Sequence, residues 1–217
     1  MDEHTALSEG FRASKPDPIL RRAQRILRGT ATFEDRYVPN HEELAKLLDM
    51  LRSMGCAIAF TTGVWDLFHI GHAKYIEAGK TAAAQMCEAE HIIMVVGVDT
   101  DELTKRRKGP TRPIVPEDER CQVLGHLRSV DIITPQYESD SLFKIVCADA
   151  RIISETTADL PGREKMQRFC LHLINLPPQA ETSSTARIRN LAIDGAQDLA
   201  KVVTAAIAEY LKSGEVP

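Results

Sequence analysis

The sequence predicts an α/β protein: a parallel sheet covered by helices on both faces, with helical extensions at either end. Three observations carry this reading. Short runs that are apolar at nearly every position, Cys56-Ala-Ile-Ala-Phe60 and Ile92-Ile-Met-Val-Val-Gly-Val98, have the length and uniform character of strands buried on both sides. Stretches with helical spacing of apolar residues alternate with those runs along the chain. Between the first run and the first such helix lies a glycine turn with two histidines, Thr61-Thr-Gly-Val-Trp-Asp-Leu-Phe-His-Ile-Gly-His72.

Composition sets the outer bounds. At 217 residues, 43% hydrophobic and 27% charged, the chain can bury one good core. Its net charge of -4 supplies no global basic field for a nucleic-acid backbone, so nucleic acid is not an expected partner. The five cysteines (Cys56, Cys87, Cys121, Cys147, Cys170) are scattered and free of Cys-x-x-Cys spacing. That suits reduced thiols in a cytoplasmic protein, without disulfide or structural zinc. No apolar run approaches the roughly 20 residues of a membrane span, and the start of the chain lacks a basic-then-apolar leader pattern.

In chain order, residues 1–15 are polar. A helix is expected from Pro16-Asp-Pro18 to Gly29, with Ile19, Leu20, Ala23, Ile26 and Leu27 as its apolar stripe and its arginines on a solvated face. A second runs from the N-cap Asn40 to Met54, burying Leu44, Leu47, Leu48 and Leu51. Residues 1–54 thus form a helical extension packed on the core or on a partner subunit. Further strands are expected at Val130–Thr134, Ala150–Ser154 and Leu171–Leu176, with a crossover helix over 139–148. A closing helix over 197–211 would bury Leu199, Val202, Val203, Ala206 and Ile207.

The stretch 61–72 carries the chemistry. Gly63 can take a backbone conformation closed to other residues, and Gly71 lets a ligand approach the main chain. A helix beginning near His69 points unpaired N–H groups and a partial positive charge at whatever lies above the strand ends. His69 and His72, three apart, would lie on one face and could address a single anion as neutral donors or as cations. The residues alone leave three readings open: a phosphate site, a metal pair, or hydrogen-bonded core histidines. No Glu or Cys stands at ligand spacing nearby, so the metal remains unassigned.

Gly63-Val-Trp-Asp-Leu-Phe-His-Ile-Gly-His72 resembles the His-x-Gly-His motif of the nucleotidylyltransferase superfamily, in the branch of the cytidylyltransferases and the heptose-phosphate adenylyltransferases. The resemblance spans about residues 57–192. It implies a Rossmann-like, doubly wound sheet of five parallel strands over 55–195, with 196–217 as a C-terminal helix. It also implies transfer of NMP from an NTP, with Mg²⁺, to a phosphorylated small molecule, and leaves room for a homodimer. By this resemblance His69 and His72 contact the triphosphate, and Thr62, Gly63, Val64, Trp65 and Gly71 line the nucleotide, with Asp66 toward the acceptor.

The basic stretch Asp99 to Pro113 reads as a loop at the carboxyl end of the second strand, where α/β sheets place ligand loops. Lys108-Gly-Pro-Thr-Arg-Pro113 followed by Glu119-Arg120 is similar to the heptose-phosphate adenylyltransferases. This implies that Lys105 or Lys108 reaches the phosphates and that Arg120 serves the nucleotide. Where those relatives carry a Gly-Asp pair, this chain has Ser154 to Lys165, in which Asp159 stands in for the aspartate. Arg163 could hold an acceptor phosphate there, or belong to a solvated first helical turn. Ser184-Thr-Ala-Arg-Ile-Arg189 resembles a Ser-Thr-Thr-x-Ile-Arg motif, with Ala186 in place of the second Thr. It implies triphosphate contacts from Thr182, Ser183, Ser184 and Thr185, although helix capping alone accounts for Ser184. The loop weighs toward ATP. Residues 63–68, closer to the choline- and ethanolamine-phosphate cytidylyltransferases, keep open a CTP-dependent enzyme acting on glycerol 3-phosphate or a phospho-amino alcohol. A non-catalytic nucleotide-binding module is the other alternative.

Overall fold

The computed structural model describes residues 17–155, 167–179, 192, 193 and 195–205. Its centre is a sheet of five parallel strands: β1 (Cys56–Gly63), β2 (His91–Asp99), β3 (Ile132–Gln136), β4 (Ala148–Ser154) and β5 (Cys170–Leu176). The order β3-β2-β1-β4-β5 makes it a doubly wound, Rossmann-like sheet that reverses between β1 and β4. Pairing of β1 with β2 runs the whole strand, from Cys56↔His91 to Gly63↔Val98. Pairing of β1 with β4 is confined to Ala59↔Ala150 and Phe60↔Arg151, although both strands continue. The ladder between the two strands therefore ends before their carboxyl ends, at the reversal point where open α/β sheets form their ligand crevice.

Alternation along β1 divides the core into two layers. Ile58 and Phe60 face helices α1 (Pro18–Leu27) and α3 (His41–Ser53), whose Ala23, Ile26, Leu44, Leu47, Leu48 and Leu51 join them in one cluster. The N-terminal helices thus pack on the core, and their stripe is the expected one. The short helix α2 (Phe33–Arg36) links them. On the opposite face, Ala59 packs with Ile76 and Ala83 of α4 (Ile70–Cys87) and with Cys121 and Leu124 of α6 (Glu117–Gly125). Helix α7 (Ser141–Val146) returns to the first face, bringing Leu142, Phe143 and Val146.

Several expectations need correction. The arginines of α1 are not uniformly solvated. Arg22 pairs with Glu43 and donates to the carbonyls of Glu34, Asp35 and Tyr37, while Arg25 pairs with Asp35. These contacts tie α1 to α2 and α3, and apolar spacing alone could not reveal them. The basic stretch is not a loop: Asp101–Lys108 forms helix α5, with Thr100 Oγ1 accepting from Leu103 N–H at 3.1 Å. An N-cap, two acids in the first turn and basic residues in the last supply the helix signals. The third strand runs Ile132–Gln136, not Val130–Thr134; just before it the Asp131 carboxylate accepts from Met94 N–H at 2.7 Å and pairs with Lys80 at 2.5 Å. A helix covers 195–205, but its Leu199, Val202 and Val203 are exposed and not buried. Ala206 and Ile207 lie outside the described residues.

Candidate active site

The turn after β1 is built around an indole. Val64, Trp65 and Asp66 are all buried, and Trp65 Nε1 donates to the Gly97 carbonyl of β2 at 2.9 Å. Trp65 (φ 58°) and Leu67 (φ 45°) both occupy the left-handed region, which costs a side-chain-bearing residue on the order of 1 kcal/mol or more. Gly63 itself does not need that region. Its requirement is space, since a Cβ there would meet the Trp65 ring at 3.1 Å. Two strained residues and one glycine thereby turn the chain from the strand end into α4.

His69 caps α4. Its backbone is extended, and its Nδ1 accepts from Gly71 N–H at 3.1 Å. In the neutral ring that places the proton on Nε2, so His69 acts as a donor through that edge. His72 lies one turn on, its ring stacked on His69 with centroids 4.1 Å apart. Trp65 contacts His72 edge-on at 5.5 Å and Phe68 lies 5.2 Å away. Burial, reinforced by His69 and Lys108, pulls the His72 pKa down to about 4, against a smaller opposing effect of Asp66. The ring is therefore neutral at physiological pH. Its Nδ1 is buried and finds no hydrogen-bond partner among the described residues. Of the two charge states open to the sequence, burial favours the neutral ring for His72.

Lysine 108 closes α5 near this pair. Desolvation lowers its ammonium pKa, with Arg112 and Arg107 adding to the effect and Asp99 and Asp66 opposing it, even though much of the side chain reaches solvent. Lys105 is exposed and pairs with no carboxylate among the described residues. The neighbouring arginines are engaged: Arg107 with Asp99 at 2.6 Å, and Arg106 with Glu138 at 2.9 Å. Electrostatic influence on His72 thus separates Lys108 from Lys105.

Asp66, expected toward the acceptor, organises the segment beyond α5. Its carboxylate accepts from Ile114 and Val115 N–H at 3.1 and 2.9 Å and pairs with Arg112 at 2.9 Å. Arg112 belongs to the Lys108–Pro113 match, which gave it no role of its own. Arg120 also sits elsewhere than the motif implied. It is 2% exposed and donates to the carbonyls of Val115, Val64 and Asp99 and to Asp101 Oδ1. Those contacts clamp the turn after β1 to the end of β2. Thr62 Oγ1 accepts from Arg151 at 2.8 Å. Asp159, Arg163, Thr182, Ser183, Ser184 and Thr185 lie outside the described residues. Among the described residues no group of three or more His, Cys, Asp or Glu converges as a metal site.

The comparisons with known proteins agree with this fold. Residues 60–156 match the family model described as cytidylyltransferase-like. The family is one of nucleotidyltransferases. Among curated relatives, the chain is 30% identical over 110 residues to the bifunctional protein HldE of Aliarcobacter butzleri, covering 51% of this chain and 21% of that one. It is 28% identical over 165 residues to HldE of Nitratiruptor sp., covering 76% of this chain and 33% of that protein. The alignments therefore take in a third or less of these two relatives' length. A pantoate-beta-alanine ligase structure from Francisella tularensis shares the fold, with TM-score 0.51 and 12% identity over 74% of this chain and 73% of that one. The matched stretch begins inside β1 and ends just after β4, so it contains the turn, both histidines and α5. No helix among the described residues is long and apolar enough to cross a membrane.

Proposed function

We propose that the chain transfers a nucleotidyl group from an NTP to the phosphate of a small acceptor such as a sugar phosphate, releasing pyrophosphate. The observation that carries this reading is the stacked imidazole pair at the start of an 18-residue helix, with the ring of His72 desolvated and neutral beside Lys108. Neutral donors held rigidly in a poorly hydrated spot are suited to charge that develops on a phosphate under attack, because they need no reorganisation when it appears.

In the reaction, an acceptor phosphate oxygen forms a bond to the α-phosphorus while the bond from that phosphorus to the bridging oxygen breaks. The electron pair leaves with pyrophosphate. His69 Nε2–H and His72 donate to the phosphate oxygens, Lys108 meets the outer phosphates, and the amino end of α4 adds its partial positive charge. Asp66 and Arg120 hold the turn and the segment after α5 in register. Mg²⁺ arrives with the nucleotide as part of the substrate. No covalent intermediate is required, so catalysis rests on positioning and electrostatics.

ATP is the nucleotide we favour, on the similarity of residues 108–120 to the adenylyltransferases. A CTP-dependent cytidylyltransferase is the second reading, favoured by residues 63–68. The five scattered cysteines, without Cys-x-x-Cys spacing, suit a cytoplasmic enzyme. A thermal-shift screen of ATP, CTP, GTP and UTP with Mg²⁺ tests the reading. Stabilisation by ATP is expected, stabilisation by CTP alone moves the second reading into first place, and indifference to all four contradicts both.

A further inference from the structure

Arg151 lies in the middle of β4, in a run that is otherwise small or aliphatic, Ala148 to Ile153 apart from Asp149. It is 5% exposed, and its guanidinium lies in the corner between the rings of Phe60 and Phe143, which meet edge to face, 4.3 and 4.7 Å from their centroids. Nη2 donates to Thr62 Oγ1 at 2.8 Å. Among the described residues the buried Nε and Nη1 have no hydrogen-bond partner, and no carboxylate pairs with the side chain. Burial pulls its pKa down to about 10, which leaves it charged at neutral pH. A buried cation without a counter-ion is costly, and aromatic faces offset only part of that cost. Replacing a buried charge by an apolar chain of similar volume is often neutral or stabilising, so stability alone does not account for it.

Its position gives the cation a use. Phe60↔Arg151 is the last pair of the ladder between β1 and β4, so the guanidinium stands at the foot of the crevice where the strand order reverses. Ligands of open α/β sheets bind in that crevice, beyond the carboxyl ends of the strands. The contact with Thr62 directs the fork toward that end. Arg151 belongs to the sheet face of Phe60 and α7, whereas His69 and His72 start α4, which packs on the other face. A ligand group held by Arg151 would therefore approach the reacting centre from the side opposite the imidazoles.

We propose that Arg151 is the anchor for the phosphomonoester of the acceptor, taken in the β1/β4 crevice with Thr62 as its companion donor. The proposal rests on the nucleotidyltransferase reading for the word acceptor, but the anion site itself does not. A planar fork suits a phosphate, which can accept two parallel hydrogen bonds from it.

The test uses the whole chain and inorganic phosphate as the probe, read by thermal shift and calorimetry. Arg151→Met should fold, with a melting temperature equal to or above wild type, and should lose the phosphate response that survives in His72→Ala. Its affinity for Mg²⁺–NTP should stay within about twofold of wild type, while the affinity for phosphate falls by about tenfold or more. Should Arg151→Met not fold, Arg151→Lys keeps the charge without the fork, and the same tenfold loss is expected. A phosphate affinity unchanged in whichever variant folds, or no phosphate response in His72→Ala, overturns the proposal. Failure of wild type to bind any NTP would contradict the nucleotidyltransferase reading and leave the phosphate comparison intact.

Discussion

His72 is stacked on His69 at 4.1 Å, and burial under Trp65 and Phe68 keeps it neutral down to about pH 4. The consequence for stability has a definite sign. In the unfolded chain an ordinary histidine takes up its proton near pH 6.5, before His72 does so in the fold. The unfolded state then binds more protons, so this group's contribution is fully present above about 6.5 and is lost as pH falls toward about 4. A proton NMR titration should show the His72 ring resonances flat between about pH 8 and 5, where an exposed histidine moves. A midpoint near 6.5 for His72 would remove the physical basis of the neutral-donor assignment.

The two candidate lysines separate by the same measurement. Lys108 is among the groups that depress His72, whereas Lys105 is not. Lys108→Met should raise the His72 midpoint by a fraction of the burial effect, and Lys105→Met should leave it unmoved. Lys108→Met should also weaken NTP binding more than NMP binding, because the proposed mode sets its charge against the outer phosphates. Equal losses for the two nucleotides, by calorimetry, would count against that orientation.

Asp66→Ala removes a buried partner from Arg112 and an acceptor from the N–H groups of Ile114 and Val115. Breaking a buried pair from one side costs about 3 kcal/mol or more. Denaturant unfolding should register that loss. Hydrogen exchange at Ile114 and Val115 should accelerate beyond what the global change explains. Protection unchanged at those two amides would show that the carboxylate does not organise the segment.

Gly97→Ala tests the packing beneath the site. A Cβ at that position would meet Thr62 Cγ2 at 2.7 Å and Leu142 Cδ1 at 2.8 Å. Overpacking of this kind costs about 1–3 kcal/mol, and here it also pushes Thr62 toward the crevice. A variant as stable as wild type would mean that the neighbours yield freely.

Most of the scaffold was legible in the chain because burial on both faces writes uniform apolar runs, as in β1 and β2. The histidine pair was legible because a glycine turn, two imidazoles and a helix start are local features. Other parts were not. The α5 helix hid behind its own charge, since Lys105, Arg106, Arg107 and Lys108 resemble a solvated loop until the Thr100 cap is weighed. Asp66 and Arg120 carry motif signatures, but their contacts run to Ile114, Val64 and Asp99, distances in sequence that no local pattern encodes. Arg151 left one visible sign, a charge inside an aliphatic strand. Its meaning needed the crevice between β1 and β4.

Pyrophosphate release tests the central claim most directly. Wild-type protein with Mg²⁺, each NTP and a panel of sugar phosphates, glycerol 3-phosphate and phospho-amino alcohols should release pyrophosphate in step with consumption of one acceptor. His72→Ala should slow that turnover by roughly 10²–10³ with the fold intact, the loss expected for one preorganised donor, while alanine at His126 or His172 changes it by no more than about a few-fold. NTP binding without pyrophosphate release from any acceptor, or a His72→Ala rate near wild type, would contradict the account.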